Sequence, residues 1–357
     1  MRAADRRLRA GPQGRVGRSA MELKTLCELQ GTSGHEEQVR AAIVAACREL
    51  KGVTAEVDRA GNVIATKKGR AAQPKQLMLC AHMDEVGLMV ISYTDDGMLR
   101  VRAIGGIDSR VLVSKRVHVG EKKLAGVIGA TAIHLQTAED RKTVLSIDQL
   151  YVDIGAKDKA EAERLAPLGA HITFATPFEN FGDGLYLSKA LDDRVGCYNL
   201  LRLLEGEYDA TAVCVFTTQE EVGARGATGA AYRIQPDTAL ILEGTAANDM
   251  GDVPQTARVC TVGEGVCVSF MDGASIARPD MFAQVTALAR EKGIAYQVKR
   301  GITGGNEGGC VQRTGSGVKT CLLSVPCRYI HSPSSVCAQS DVDAQYALAK
   351  AYLESMK

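Results

Sequence analysis

Strand-sized apolar runs alternate with stretches of helical periodicity along most of this chain. The segment TSGHEEQVRAAIVAACREL sets Val39, Ile43, Ala46 and Leu50 on one face, and Ser33 and Glu36 have capping-box spacing, which predicts a capped helix. VTAEVDRAGNVIATKKG reads as a hairpin turning near Ala60-Gly61-Asn62. QLMLCAH is a nearly continuous apolar run of the kind that forms a strand buried on both faces. Further on, TAVCVFTTQEE, TALILEG, AYQVKR and GVKTCLLSVP read as strands. Between and after them come three helical patterns: one carrying Cys197, Leu200, Leu201 and Leu204, one over PDMFAQVTALAREKG, and a closing one with Val342, Tyr346, Ala349 and Leu353 aligned. Strands alternating with helices predict an α/β fold with a mostly parallel sheet between helices.

The texture changes between about Ser92 and Phe178. Short alternating stretches such as GMLRVRAIGG and RVHVGEKKLAGVIGA, punctuated by Gly and Asp, predict a β-rich domain inserted at 92–178 into a host formed by 21–91 and 179–357. One helical patch, AKDKAEAERLA, interrupts it. Residues 1–20 are Arg-rich and lack an apolar core segment, which excludes a secretory signal. Helical sequence starts only after a second methionine, Met21, so 1–20 reads as a disordered extension or cloning remnant, with a transit peptide as the weaker alternative.

Composition narrows the function. With 357 residues, 45% hydrophobic and 24% charged, the chain is an ordinary globular protein. A net charge of +1 gives no reason to expect nucleic acid as a partner, and no apolar run is long enough to predict a membrane span. The eleven cysteines form no C-x-x-C pair, and several lie inside strand-like runs. They read as buried reduced thiols of a cytoplasmic protein.

Ionisable groups gather where strands run out. His82 and Asp84 follow QLMLCA, Glu220 and Glu221 follow TAVCVFTTQ, Glu243 ends TALIL, and His331 follows the strand ending in SVP. In open α/β sheets the carboxyl ends of strands border the crevice where ligands bind. Asp192 and Asp193 precede a helix and can be aimed into the same crevice. A lone strand-end His is usually structural, and a Glu-Glu pair is usually a solvated turn. Together these groups would repel one another strongly without a cation among them. The mixture of imidazole and carboxylate suits a pair of divalent metals. In His82-x-Asp84 the two residues point to the same side of a strand, so Asp84 can orient the His82 ring. Of the adjacent Glu220 and Glu221, one can bind metal while the other serves as general base. Lys189 and Arg194, flanking the Asp pair, read as a structural salt bridge, and His118, His134 and His171 carry no chemistry.

At these residues the chain resembles a known group. AHMDEVG, ALDDRVG, TTQEEVGARGA, LEGTAANDMG and VPCRYIHSP are similar, in order, to the motifs of the tetrahedral dinuclear metallo-aminopeptidases, family forty-two of the metallopeptidases. Members are labelled glutamyl or deblocking aminopeptidase and sometimes endoglucanase. The resemblance implies a zinc-peptidase-like catalytic domain and a PDZ-like inserted dimerisation domain. It places His82, Asp192 and Glu243 on one metal, and Asp192, Glu221 and His331 on the other. It makes Glu220 the catalytic base and Asp84 the group that orients His82, with a cis bond between Asp192 and Asp193. Two zinc or cobalt ions per subunit, short peptides as substrates, and dimers assembling into a tetrahedral dodecamer follow from the same resemblance.

The chain departs from the family pattern in three places. Glu243 stands where Asp is common, GGNEG with Asn306 and Glu307 replaces Gly-Gly-Thr-Asp-Ala, and Ser334 and Ser335 follow HSP in place of an acid. The altered GGNEG loop lies near the substrate in this reading, so it bears on specificity. Rival functions are a metal-dependent deacylase or dipeptidase on a related scaffold, an endoglucanase, and a non-catalytic assembly protein. The absence of Trp argues against the endoglucanase, and an intact Glu220 against the assembly protein.

Overall fold

A computed structural model describes residues 21–302 and 304–356; the predicted extension at 1–20 lies outside the described residues. The host begins with helices α1 (Leu23–Glu28) and α2 (Glu37–Glu49) and strands β1 (Val53–Val57), β2 (Val63–Lys67) and β3 (Gln76–His82). The chain then enters a barrel of β4 (Gly87–Tyr93), β5 (Leu99–Ile104), β6 (Arg116–Val119), β7 (Leu124–Gly129), β8 (Tyr151–Asp153) and β9 (His171–Phe174), with α3 (Lys159–Leu165) before the last strand. The host resumes through β10 (Glu179–Phe181), β11 (Leu185–Ser188), α4 (Leu191–Leu204), β12 (Thr211–Thr217), α5 (Arg225–Ile234) and β13 (Thr238–Ala246). It closes with β14 (Val266–Ser269), α6 (Pro279–Lys292), β15 (Tyr296–Val298), α7 (Glu307–Gln312), β16 (Lys319–Arg328), β17 (Ser335–Ala338) and α8 (Gln339–Ser355).

The host sheet runs β1-β2-β12-β3-β13-β16-β17-β11-β10, with β14 and β15 branching from β16. Its centre, β12-β3-β13-β16, is parallel, while the flanks on both sides are antiparallel. The parallel centre is where the sequence is most uniformly apolar, because a strand covered on both faces has no solvent side to keep polar. In β3, Leu77 and Leu79 pack into the core beneath α2, α4 and α8, while Met78 and Cys80 face the opposite core with α5. The insert closes as the barrel β4-β5-β8-β7-β6-β9 around its own core, which includes Leu88, Val101, Ile128, Val152 and Phe174. Its strands run from Gly87 to Phe174.

Register brings the strand ends level. His82 of β3 pairs directly with Thr217 of β12, and Ile241 of β13 pairs with Cys80, so Glu243 comes level with His82. The predicted capping box does not form. Glu36 is the N-cap residue of α2 and makes no side-chain cap; its Oε1 accepts from the N–H groups of Gly34 (2.7 Å) and Gln219 (3.2 Å). Ser33 donates its hydroxyl to Asp84 Oδ2 at 2.6 Å. Both residues tie the α1–α2 loop to the strand-end crevice, and that long-range role outweighs the local one.

Candidate metal centre

Asp192 sits in the middle of the gathered groups. It comes two residues after Ala190, whose backbone is left-handed (φ 53°), and precedes Asp193 through a cis peptide bond. Its two oxygens face opposite ways. Oδ1 lies 3.6 Å from His82 Nε2, and the same nitrogen is 3.7 Å from Glu243 Oε2. Oδ2 lies 3.5 Å from His331 Nε2, which is 3.4 Å from Glu221 Oε2. Two sets of imidazole and carboxylate donors therefore share one aspartate. Gly244 makes the close approach possible: its N–H donates to Asp192 Oδ1 at 3.1 Å, and a Cβ there would stand 2.7 Å from that oxygen.

Asp84 holds this arrangement from below. Its Oδ1 accepts from the Glu220 N–H (2.9 Å), and its Oδ2 accepts from the Glu221 N–H (3.1 Å) as well as from Ser33. The Nδ1 of His82 is 3.0 Å from the Asp84 carbonyl oxygen and 3.5 Å from its carboxylate. An Nδ1–H donated to that carbonyl leaves Nε2 unprotonated toward Asp192 and Glu243. The spacing argument put Asp84 beside the imidazole; its carboxylate equally clamps the turn that carries both glutamates. That turn leaves β12 through Gln219 and enters α5 through Ala224, both with left-handed backbones (φ 56° and 51°).

The electrostatics are those of crowded carboxylates. Burial is the largest influence on Glu220, Glu221 and Glu243, and neighbouring carboxylates add to it. The Glu220 carboxyl is pushed up to about 8 and that of Glu221 to about 7; Glu243 goes well above the ordinary range. Burial works against the charged form of His331, yet Asp192 and Glu221 lift it to about 9. His82 is also raised, since Asp192, Asp84 and Glu243 overcome its burial.

Glu243 Oε1 is buried with no hydrogen-bond partner. An orphaned carboxylate oxygen among imidazole and carboxylate donors suits a divalent cation well, and the residues present fit two. Ligand atoms of His82, Asp192 and Glu221 lie within 4.8 Å of one another, and so do those of His82, Asp193 and Glu243. Asp193 is less available than that proximity suggests. Its Oδ2 accepts from the His82 N–H (3.2 Å) and its Oδ1 from the Gly196 N–H (3.0 Å).

A cavity of about 300 Å3 opens beside the cluster, lined by His82, Asp192, Glu220, Glu243 and His331 and also by Val259, Lys299 and Ile330. Gly304, Gly305 and Asn306 form part of its rim. Glu307 does not reach it. Its side chain is buried behind the strand ends, where Oε2 accepts from the Cys80 thiol at 3.1 Å. Sequence reasoning grouped Glu307 with Asn306 as one loop, but helix α7 begins between them and turns the Glu307 carboxylate inward. Ser33, Gly244 and Lys299 were not singled out as site residues. Only the glycine after a strand-end acid carried a local signal.

The salt bridge expected of Lys189 and Arg194 is present. Lys189 Nζ lies 2.7 Å from Glu85 Oε1, with Arg194 Nη2 at 3.4 Å from the same oxygen. Glu85, which follows His82 and Asp84 in AHMDEVG, thus belongs to the scaffold. All eleven cysteines are free, and ten are buried. His35 is half-buried and packs against His171, ring centroids 4.4 Å apart.

A family model described as M42 glutamyl aminopeptidase matches residues 61–348. A putative aminopeptidase of Acetivibrio thermocellus is 35% identical over 326 residues, 90% of this chain and 94% of that protein. Among solved structures, an aminopeptidase from the archaeon Desulfurococcus kamchatkensis superimposes with a TM-score of 0.88 at 33% identity, covering 93% of each chain. The TET1 peptidase of Pyrococcus horikoshii, whose structure describes assembly into a tetrahedron or a large octahedral shell, superimposes with a TM-score of 0.83 at 31% identity, covering 93% of this chain and 98% of that one.

Proposed function

The chain belongs to the M42 glutamyl aminopeptidase family, and on that premise we propose that it hydrolyses the N-terminal bond of short peptides with the help of two divalent metal ions. The observation that carries this reading is the placement of Asp192, one oxygen toward His82 and Glu243 and the other toward His331 and Glu221. His82, Glu243 and Asp192 Oδ1 would hold one ion; Asp192 Oδ2, Glu221 and His331 would hold the second. Zinc and cobalt both suit this donor set. When bound, the pair supplies Lewis acidity toward the scissile carbonyl and acidifies the attacking water.

The chain's own residues do the rest. Glu220 lines the cavity beside the two donor sets and carries no side-chain hydrogen bond among the described residues, which leaves it available as the base. It takes the proton of the attacking water on its carboxylate and returns it to the departing amine. Asp84 fixes the backbone on which Glu220 stands, so the base is aimed by two charge-assisted hydrogen bonds. No helix among the described residues is long and apolar enough to cross a membrane, and a relative that can assemble into a tetrahedron or an octahedral shell supports self-association of this chain, proposed here to proceed through dimers to a dodecamer.

Glu220→Gln tests the central assignment. It should retain two equivalents of metal while kcat on an aminoacyl anilide falls about 10²–10⁴-fold. Turnover within threefold of the parent at full metal content would remove Glu220 from the role.

A further inference from the structure

Cys327 and Cys337 stand directly opposite each other across the antiparallel strands β16 and β17. The Cys327 carbonyl accepts from the Ala247 N–H at 2.8 Å, on the β13 side of β16. The N–H and C=O of one strand residue point the same way, so Cys327 makes no ladder bond toward β17, and the two cysteines form a non-hydrogen-bonded pair. In such a pair the Cα atoms stand about 4.5 Å apart and the side chains approach most closely. That separation falls inside the window of about 4.4–6.8 Å that a disulfide spans. Both side chains enter one small core with Leu191 and Val195 of α4, and the two thiols are within hydrogen-bonding reach of each other. Cys260 and Cys267 are a second close pair, but Cys260 lies outside any strand, so no ladder sets their separation.

The Cys327–Cys337 pair closes the base of segment 328–336, which presents His331 to Asp192 and Glu221. Tyr329 and His331 have left-handed backbones (φ 59° and 57°), a conformation that an L residue keeps only where its surroundings impose it. Hydroxyls hold the segment in that shape: Ser332 Oγ donates to the Tyr329 carbonyl at 2.6 Å, and Ser335 Oγ donates to the same oxygen at 3.3 Å. A covalent link between the two strands would fix both ends of the segment at once.

We propose that Cys327 and Cys337 are a site of reversible oxidation, which takes a low-molecular-weight disulfide such as oxidised glutathione as co-reactant and forms a bond that clamps the His331 segment. One cysteine, as thiolate, attacks a sulfur of the reagent and expels a glutathione thiolate. The other cysteine then attacks the protein sulfur of that mixed disulfide and expels the second. The two cysteines give up two protons and two electrons, and two molecules of reduced glutathione leave. Both thiols are out of solvent, and hydrogen bonding with Cys337, together with burial, holds the Cys327 thiol well above its usual range. The reaction therefore waits on local opening of the short strand β17 (Ser335–Ala338) and takes on the order of minutes to hours.

The test exposes the zinc-loaded full chain to millimolar oxidised glutathione, quenches it with acid, alkylates it in denaturant and digests it with trypsin. A peptide containing Cys327 joined to one containing Cys337 should accumulate and should disappear on treatment with dithiothreitol. Cys321 shares its tryptic peptide with Cys327, so fragment ions locate the link. In chelator, the oxidised chain should melt about 5 °C above the reduced one. Cys337→Ala should abolish both the link and the shift, and Cys267→Ala should keep both; the mapping on the parent stands whether or not a variant folds. A parent that forms no Cys327–Cys337 link, while the same reagent oxidises the unfolded chain, would overturn the proposal. So would Cys27–Cys337 or Cys260–Cys267 in its place, or a link that leaves melting unchanged or lowers it. The consequence for the centre rests on the two-metal reading: oxidation should slow zinc release to a chelator by roughly threefold or more. Unchanged release with the link and the melting shift intact would leave the oxidation site standing and remove His331 from the metal.

Discussion

At the scale of single residues, the centre is a set of acids held closer together than their charges allow without a cation. Glu220 and Glu221 bind protons in the folded, metal-free chain up to about pH 8 and about pH 7, against an ordinary value of 4.5. Between those limits the native state holds more protons than the unfolded one, so stability falls as pH rises. His331, raised to about 9, acts in the same direction: its contribution is whole below 6.5 and is lost as pH climbs through 9. Asp192 and Asp84 are lowered and work oppositely, but only below the ordinary carboxylate range. The melting temperature in chelator should therefore drop from pH 5 to pH 9, less steeply in Glu220→Gln. The stabilisation conferred by zinc should grow over the same interval, because ligation needs deprotonated donors. A chelated protein whose melting temperature rises across that interval would contradict the crowding. The gathered residues were legible in the chain because strands announce themselves by apolar runs and these groups interrupt the runs at their ends. Lys299 and Ser33 were not, because nothing local separates a lysine lining a cavity from one on a surface.

At the scale of elements, the loops around the centre are fastened to one another by buried polar groups. Glu85 accepts Lys189 Nζ at 2.7 and 2.9 Å and the Gly31 N–H at 3.1 Å, which ties the β3–β4 connection to the α1–α2 loop and to the turn before α4. All of it is out of solvent: Lys189 is 3% and Glu85 2% exposed. Lys189→Met should cost about 3–5 kcal/mol, because it strands a buried carboxylate beside a partner that does not fully compensate. Denaturant unfolding of the metal-loaded protein measures this, and a loss under about 1 kcal/mol would mean that Arg194 or water takes over the charge. Elements whose signal is local were readable in advance, among them β3, α6, α8 and the hairpin at 58–62. The capping box was misread for a physical reason. Its spacing is necessary for the local bonds, but Ser33 and Glu36 meet stronger long-range partners once β3 and β12 are in place. The antiparallel flanks of the sheet were likewise hidden, since strand direction is decided by connections that periodicity does not record.

At the scale of the whole molecule, the barrel has a closed sheet and a core of its own, and among the described residues it meets the candidate centre only at one edge, where Phe174 and Gly106 line cavities shared with Glu221 and His331. The connection between β7 and β8 nevertheless exposes Ile133 (70%), Leu135 (71%) and Val144 (63%), three large apolar side chains that folding of a single chain leaves in water. Each would gain about 1.5–3 kcal/mol from full burial, so an association that covers them recovers a substantial part of its ordering cost. If subunits meet through the barrel, replacing Ile133 and Leu135 together by Asp should shift the protein to smaller species in light scattering. Zinc content and melting of the host domain should stay within experimental scatter of the parent, because neither residue touches the host core. An unchanged mass distribution would place the contact elsewhere on the surface. A fall in metal content alongside dissociation would instead show that assembly helps to shape the centre, making the two-metal site a property of the oligomer and not of the subunit.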